Sequence, residues 1–374
     1  MITEEAAAMV HQEMLTPTER GRADGLRDGH DEGYLRGRAN VIVNRERPAF
    51  PVRNLKVLYV GSGKGFPYAP LDEAVMTTLR TLTTELIAAV PHDPIPELAA
   101  RHKPDLLLAL DGLELPADYV DAVRAMGIPT AVWFTDDPYY TDITVPLSPH
   151  YDYVFTLERN CIEPYLAAGC SHVHYLPFAA YPEHYRPTLI QSKVRRTLSF
   201  IGSAYWNRVH YLRPVMAPLM EQGLLINGIW WDRLPEFPIY ADRIELGKWM
   251  GPVETAEVYS GSKVIINLHR SPLDGDVNNN GAGILAASPN PRTFEISACA
   301  TLQLVDARDD LASFYTPGEE IETFSTPEEL VDKTRFYLTH EKERREIALR
   351  ALERTLRDHT YGNRLNELLN VIFG

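Results

Sequence analysis

The chain has 374 residues, of which 45% are hydrophobic and 24% are charged, and its formal net charge at pH 7 is −14. This is the composition of a globular protein that is long enough for two domains of ordinary size. The negative balance argues against a general nucleic-acid binder, although it is compatible with a local basic pocket that holds a phosphate.

The N-terminus and the cysteines bear on the compartment. Residues 1–10 are acidic and have too few apolar residues for a signal peptide, and no run approaches the roughly 20 apolar residues of a membrane span. The three cysteines are Cys161, Cys170 and Cys299. Their odd number and the lack of a C-x-x-C pair suit a reducing compartment, so the sequence predicts a cytoplasmic protein.

Residues 1–50 are expected to form a helical extension ahead of the globular domains. A glycine recurs there at every fourth position: Gly21, Gly25, Gly29, Gly33 and Gly37. On a helix these glycines form a smooth stripe, and each costs about 1 kcal/mol relative to alanine. The helix is therefore expected to be stable only where a partner helix, as in a homodimer, or the body of the protein packs against the stripe. A mobile charged arm is the alternative.

Strands and helices alternate between residues 51 and 180, which predicts a mainly parallel sheet. A buried strand at residues 55–60, a glycine loop and a helix at 71–89 form the opening of a doubly wound α/β domain. Further strands are predicted at residues 105–110, 130–134, 153–156 and 173–177.

The glycine loop Gly61, Ser62 and Gly63 is expected to bring backbone close to a ligand. It does not match the dinucleotide-binding fingerprint, because Phe66 stands where the third glycine belongs. It does not match the P-loop either, because Lys64 is not followed by Ser or Thr. NAD and ATP are therefore weak candidates for the ligand.

Two adjacent carboxylates, Asp136 and Asp137, follow the strand at residues 130–134. Ligands of parallel sheets gather at the carboxyl ends of the strands. Either aspartate could act there as a general base or orient an acceptor hydroxyl. The alternative is that Asp137, which precedes Pro138, only forms a turn.

The alternation restarts after a linker at residues 181–196 and continues through a second domain at 197–345. Strands are predicted at 197–201, 224–231, 264–269 and 301–305, and helices at 211–222 and 253–260. The chain closes with helices predicted at 327–339, 341–358 and 361–373.

A proline-bracketed loop at residues 288–291 precedes a short helix that is expected to begin near Arg292, because Pro291 cannot lie inside a helix. The N-terminus of this helix suits a phosphate. Glu295 lies in its first turn and could accept hydrogen bonds from sugar hydroxyls. The alternative is that Glu295 only caps the helix and Arg292 lies in solvent.

Four motifs in this order resemble the GT-B glycosyltransferases, and specifically the CgeB-like family related to spore-surface maturation proteins. The motifs are WFTDDP at 133–138, FIGS at 200–203 with Arg208, IINLH at 265–269, and RTFE at 292–295. The resemblance implies a GT-B fold of the α/β class, in which two Rossmann-like domains face a central cleft. Residues 346–374 would then form helices that cross back to the N-terminal domain.

The resemblance also implies a nucleotide-diphosphate sugar as donor, with a UDP-sugar as the first expectation. Glu295 would bind the ribose, and Gly202, Ser203, Arg208 and Arg292 would face the diphosphate. Arginine suits this task because its planar fork matches phosphate oxygens. Asn267 and His269 would reach the sugar or phosphate, and Trp230 or Trp231 would wall the base pocket.

The acceptor would enter near Gly61, Ser62 and Gly63, and the catalytic residues are expected to be Asp136, Asp137 and His269. One departure concerns Ala287, which stands where many related retaining enzymes carry a second glutamate. The triplet at residues 274–276 spells D-x-D, but it lies in a loop rich in Gly and Asn, and no metal or other cofactor is predicted.

The sequence thus predicts a metal-independent glycosyltransferase that moves a sugar to a hydroxyl of a surface or spore glycan, a glycoprotein or a small acceptor. A non-hydrolysing nucleotide-sugar epimerase and a catalytically degenerate nucleotide-sugar-binding scaffold are the alternatives.

Overall fold

The computed structural model describes residues 16–374. The absence of a signal peptide was predicted from residues that lie outside this range. The chain forms two compact units, of which the first ends at Arg45 and the second comprises Glu46–Gly374. Among the described residues, no helix is both long enough and apolar enough to cross a membrane.

The first unit contains a single long helix in its described part, α1 (Pro17–Arg45). Thr16 and Glu19 cap it reciprocally, since each accepts a hydrogen bond from the backbone N–H of the other. All five glycines of the stripe are exposed. A helix is thus present where the extension was predicted, and a partner for the stripe stays a prediction.

The first half of the second unit is a six-stranded sheet in which every strand pair is parallel, with the order β2-β1-β3-β4-β5-β6. Its strands are β1 (Arg53–Val60), β2 (Thr83–Ala89), β3 (Leu106–Leu110), β4 (Thr130–Trp133), β5 (Tyr153–Thr156) and β6 (His172–Tyr175). The helices between them are α2 (Ala69–Leu82), α3 (Ile95–His102), α4 (Ala117–Ala125), α5 (Thr141–Leu147) and α6 (Ile162–Ala167).

The helix predicted at residues 71–89 was wrong in its second part. Helix α2 ends at Leu82, and the chain continues directly into the edge strand β2, which pairs with β1 from Thr83 onward. No glycine or proline separates the two elements. A local breaker signal was therefore missing, and pairing with β1 decides the change from helix to strand.

The second half is another six-stranded parallel sheet, with the order β12-β11-β10-β7-β8-β9. Its strands are β7 (Arg196–Ile201), β8 (Leu224–Gly228), β9 (Ile244–Leu246), β10 (Ser262–Asn267), β11 (Leu302–Asp306) and β12 (Glu322–Phe324). The helices are α7 (Trp206–Leu212), α8 (Met216–Glu221), α9 (Phe237–Tyr240), α10 (Pro252–Gly261), α11 (Pro291–Ala298), α12 (Pro327–Thr339), α13 (Glu341–Asp358) and α14 (Tyr361–Phe373).

Two strands of this sheet, β9 and β12, have no counterpart in the sequence prediction. Each has three residues and lies at a sheet edge, so neither is long enough to show an alternating pattern. The predicted strand at 224–231 ends earlier, at Gly228. A Cβ atom at that position would overlap the carbonyl oxygen of Gly202, so the close approach of β7 and β8 requires glycine.

The closing helices α12, α13 and α14 confirm the helices predicted at 327–339, 341–358 and 361–373. Helix α14 belongs to the core of the first half rather than the second. Its buried Leu365 and Leu369 lie in one apolar cluster with Val57 and Tyr59 of β1. The chain therefore returns to the first sheet at its end and ties the two halves together.

Candidate functional site

A cleft with a volume of about 530 Å³ lies between the two halves. The carboxyl ends of β4, β5, β7, β8 and β10 open onto it, as expected for parallel sheets. The predicted site residues on its wall are Asp136, Asp137, Gly202, Ser203, Arg208, His269, Arg292 and Glu295. The structure therefore brings together residues from both halves that the sequence analysis had chosen from separate motifs.

Asp136 is held with one carboxylate oxygen fixed. The hydroxyl of Tyr68 donates to Oδ2 at 2.6 Å, and the hydroxyl of Thr135 donates to the same oxygen at 3.2 Å. Burial and the neighbouring Asp136 raise the pKa of Tyr68, which keeps its proton on the donor. The other oxygen, Oδ1, lies 4.0 Å from Nη2 of Arg270. This geometry suits a group that receives a proton within the cleft.

Asp137 is tied into its own half. It is 1% exposed and accepts hydrogen bonds from Thr156 at 2.6 Å, Tyr165 at 2.7 Å and Thr144 at 3.3 Å. Burial raises its pKa to about 6, although the three hydroxyls oppose that shift. With three hydroxyl donors it anchors the loop after β4, which leaves Asp136 as the better placed of the two for chemistry.

The glycine loop lies beside α2 rather than on the cleft wall. Ser62 is buried, and its hydroxyl donates to Asp72 at 2.6 Å. A Cβ atom on Gly61 would lie 2.9 Å from the same carboxylate, and one on Gly63 would lie 2.9 Å from Pro91. The loop instead carries the next residues, Phe66 to Tyr68, into the cleft.

Arg208 is a buried cation whose hydrogen bonds go to backbone carbonyls. Its Nε donates to Leu268 at 2.9 Å and its Nη1 to Ser203 at 3.0 Å. Burial and the nearby Arg292 lower its pKa to about 9. Two arginines that disfavour each other's charge are stabilised by an anion placed between them and the cleft.

The N-terminus of α11 faces the cleft. Its cap is Asn290, whose side chain accepts from the N–H of Thr293 at 3.1 Å. The alternative that Glu295 only caps this helix is therefore wrong. The helix begins at Pro291, so Arg292 and Glu295 both lie in its first turns and both line the cleft.

Asn267 lies behind this helix and not on the cleft wall. Its amide nitrogen donates to Thr293 at 3.1 Å and to Gln303 at 2.9 Å, and its oxygen accepts from Asn290 at 2.8 Å. Because these bonds engage its side chain, its contribution in this structure is to hold the helix cap in place.

His269 is also engaged at both ring nitrogens. Its Nε2 accepts from the backbone N–H of Asn290 at 2.9 Å, so Nδ1 carries the proton and donates to Asp306 at 2.6 Å. Burial lowers its pKa although Asp306 opposes the shift, and the ring is therefore neutral. In this arrangement neither nitrogen is available for proton transfer, which contradicts the expectation that His269 is catalytic.

The two tryptophans after β8 lie behind the cleft. Trp231 is fully buried, and its Nε1 donates to the carbonyl of Gly202 at 2.9 Å. Trp230 packs against Tyr205 and under the guanidinium of Arg233. Trp231 thus braces the loop after β7, and neither ring is part of the cleft wall.

Glu295 is half-buried on the cleft wall. Burial raises its pKa to about 7, while Arg292 and a hydrogen bond with Tyr185 oppose that shift. A carboxylate in this setting gains from a ligand that donates hydrogen bonds to it. The predicted contact with ribose hydroxyls is compatible with this position.

Arg270 is a cleft residue that the sequence analysis did not select. Its guanidinium lies 3.4 Å from the ring centre of Tyr139, and its Nη1 donates to the hydroxyl of Tyr205 at 3.0 Å. The sequence offered one sign of this role, which is that Arg270 lies shortly after the buried strand β10, at the end of that strand that opens onto the cleft.

Glu158 is a second residue that the sequence analysis missed. Its Oε2 accepts from the backbone N–H groups of Ala287 and Ser288, each at 3.0 Å, and its Oε1 accepts from Asn160 at 3.0 Å. A carboxylate from the first half therefore lies beside Ala287, the position at which the resemblance led us to expect a second glutamate. No local sequence signal links the two positions, which are 129 residues apart.

The loop between β10 and α11 makes further contacts with the first half. Asp142 accepts from the N–H of Gly281 at 2.9 Å, and the backbone of Asn279 pairs with that of Tyr139 at 2.8 Å. The D-x-D triplet lies in this loop, and Asp274 accepts from the N–H of Trp206 at 3.4 Å. In residues 16–374 no cluster of three or more His, Cys, Asp or Glu side chains is arranged to hold a metal ion.

Comparisons with known proteins agree with this fold. A family model described as glycosyl transferase-like matches residues 208–370. Spore protein CgeB of Bacillus subtilis strain 168 is 29% identical over 310 residues, which are 82% of this chain and 95% of CgeB.

Two solved structures share the fold at low identity. HepE of Anabaena, solved with UDP and glucose, has a TM-score of 0.59 at 11% identity and covers 85% of this chain and 99% of its own. A glycosyltransferase from Rickettsia africae ESF-5 has a TM-score of 0.60 at 11% identity and covers 86% of this chain and 98% of its own.

The chain therefore has the GT-B fold, in which two parallel α/β halves face a central cleft, and its residues 208–370 are similar to the glycosyl transferase-like family. Over most of its length the chain is also similar to Spore protein CgeB. Both the predicted fold and the resemblance noted from the four motifs are confirmed.

Proposed function

We propose that this protein transfers a sugar from a nucleotide-diphosphate sugar to a hydroxyl of an acceptor. The observation that carries the proposal is the pairing of two features across one cleft. Arg208 and Arg292 place two positive charges on the cleft wall near the N-terminus of α11. Asp136, from the other half, presents a carboxylate to the same space.

The chemistry follows from these positions. The acceptor hydroxyl gives its proton to Asp136 while its oxygen bonds to the anomeric carbon of the donor sugar. The bond from that carbon to the diphosphate oxygen breaks, and the electron pair stays on the diphosphate. Arg208, Arg292 and the positive end of the α11 dipole stabilise the developing negative charge because they are already in place before the reaction.

The donor is proposed to be a UDP-sugar that binds without a metal ion. The arginines and the helix N-terminus supply the positive charge that a divalent cation provides in other transferases. Glu295 is placed to accept hydrogen bonds from the ribose hydroxyls. The protein is also proposed to be cytoplasmic, because its three cysteines are buried free thiols, which suits a reducing compartment.

The acceptor is proposed to be a glycan, a glycoprotein or a related hydroxyl compound of a surface such as a spore coat. This part of the proposal rests on the description of CgeB as a spore protein. The assay is transfer of labelled sugar to surface extracts and to simple glycosides, with mass analysis of the product.

A thermal-shift screen tests the donor site first. The panel is UDP, GDP, dTDP and CDP with their common sugars. Stabilisation by one nucleotide series supports the donor site and names the base, because a ligand of the folded state raises its stability. If a compound in the panel binds but is not turned over with any acceptor, the catalytic proposal fails in favour of the scaffold. If no compound shifts the melting temperature and none is turned over, the proposed donor site fails as well.

The glycine stripe of α1 is proposed to pair with a second copy of the chain. Light scattering of the full chain and of residues 46–374 tests this. A dimer that becomes a monomer on truncation supports the pairing, and a full chain that is monomeric at high concentration rejects it.

A further inference from the structure

Arg270 reaches the cleft from the end of β10 and is only partly engaged there. Its Nη1 donates to Tyr205 at 3.0 Å, and its guanidinium stacks on Tyr139. Its Nε and Nη2 are buried without a hydrogen-bond partner among the described residues. A buried N–H group without a hydrogen-bond acceptor lowers the stability of the folded protein. A ligand that supplies acceptors to Nε and Nη2 would therefore bind favourably at this side chain.

Among residues 16–374, the carboxylate oxygen that lies near the open end of this guanidinium is Oδ1 of Asp136. Oδ1 of Asp136 is 4.0 Å from Nη2 of Arg270, which is attraction without a hydrogen bond. The other oxygen of Asp136 is already held by Tyr68 and Thr135. The oxygen proposed to take the acceptor proton is thus the one that Arg270 faces in this structure.

We infer that Arg270 is shared between two anions, Asp136 before the donor binds and the diphosphate of the donor afterwards. This inference rests on the proposed function. A planar guanidinium with Nε and Nη2 free can bind two phosphate oxygens at once, whereas Asp136 offers it one distant oxygen. The ion pair with the diphosphate is therefore the stronger of the two.

The exchange makes donor binding a condition for acceptor activation. When Arg270 turns to the diphosphate, Oδ1 of Asp136 is released to accept the hydrogen bond of the acceptor hydroxyl. That hydroxyl then gives its proton to Asp136 as its oxygen bonds to the anomeric carbon. The bond to the diphosphate breaks, and its electron pair ends on an oxygen that Arg270 contacts. Donor is thus expected to bind before acceptor.

A double-mutant cycle on the full chain tests the sharing. Calorimetry measures the affinity for UDP and for inorganic pyrophosphate in the wild type, Asp136→Asn, Arg270→Ala and the double variant. In the wild-type background, Asp136→Asn is expected to strengthen binding by about threefold to tenfold, in the range found for groups in contact. In the Arg270→Ala background the same substitution is expected to change binding by less than about twofold.

General charge repulsion gives a different pattern. If Asp136 only repels phosphate, its substitution strengthens binding equally in both backgrounds, and the inference is overturned. The matched control is Arg335→Ala, which removes an exposed guanidinium of α12 that pairs with Asp332. It is expected to leave both affinities unchanged. Circular dichroism checks that each variant is folded. Arg270→Lys is a further control, because the lysine keeps the positive charge and should retain part of the coupling between positions 136 and 270.

The result also separates this inference from the proposed function. Binding of a diphosphate with no coupling between the two positions rejects only the role of Arg270. If wild type binds neither probe, nor any other nucleotide diphosphate, both proposals fail. Initial-rate kinetics give a second readout, because an ordered mechanism with donor first is expected in the wild type and random binding in Arg270→Ala.

Discussion

Glu158 of the first half accepts a hydrogen bond from the backbone N–H of Ala287 in the second half. Oε2 of Glu158 accepts the N–H of Ala287 and the N–H of Ser288, each at 3.0 Å. Glu158 is 1% exposed, so these bonds are shielded from water. The first half thereby holds the loop that leads into α11, and with it the positions of Arg292 and Glu295.

Substitution of Glu158 by alanine should test this link through stability. Three backbone N–H groups lose their acceptor, and leaving buried donors unpaired costs about 1–3 kcal/mol. Urea denaturation should therefore show a lower free energy of unfolding by that amount. Glu163→Ala is the control, because Glu163 is exposed on α6. Equal stability of the two variants would show that the link contributes nothing.

Substitution of Glu295 by alanine should weaken donor binding by about 1–3 kcal/mol, since the ribose hydroxyls would lose a buried acceptor. Calorimetry with the nucleotide found in the screen measures this loss. Glu257→Ala, on the exposed face of α10, serves as the comparison. An affinity that matches the wild type in the Glu295 variant would remove this residue from the donor site.

Asp136→Asn should lower kcat by about 10²–10⁴-fold, the range for a lost general base. Donor affinity should not weaken, because the amide takes away a negative charge near the diphosphate site. Steady-state kinetics with the identified donor separate the two effects. Asp118→Asn, an exposed substitution in the same half, should behave as wild type. A kcat within a few-fold of wild type in Asp136→Asn would show that another group takes the proton.

The titration of Asp137 should instead make the free energy of unfolding depend on pH. Its pKa is raised from 3.8 to about 6 by burial, so between these values the folded state holds a proton that the unfolded state has released. Its contribution is then lost as pH rises from about 4 to 6, by up to about 3 kcal/mol. Asp137→Asn removes this titration.

Chemical denaturation at several pH values measures the effect. The stability of wild type relative to Asp137→Asn should fall over this window and stay level above about pH 7. A difference that is constant with pH would show that Asp137 titrates normally in the folded protein.

Local patterns predicted those parts of the fold in which periodicity and breakers agree. The three closing helices start and end close to the predicted residues because prolines, capping residues and amphipathic spacing mark them. The junction of α2 and β2 was missed because no breaker lies between Leu82 and Thr83. The short edge strands β9 and β12 were missed because three residues carry no periodic signal.

The candidate site divides in the same way. Through the resemblance carried by its four motifs, the sequence by itself determined that Asp136, Arg208 and Arg292 would lie on one cleft. It did not determine that both nitrogens of His269 would be engaged, or that Arg270 would face Asp136. Those relationships, and that of Glu158 with Ala287, arise where two separate sheets meet. Local propensity and spacing carry no information about such contacts, and only the packing of the two halves decides them.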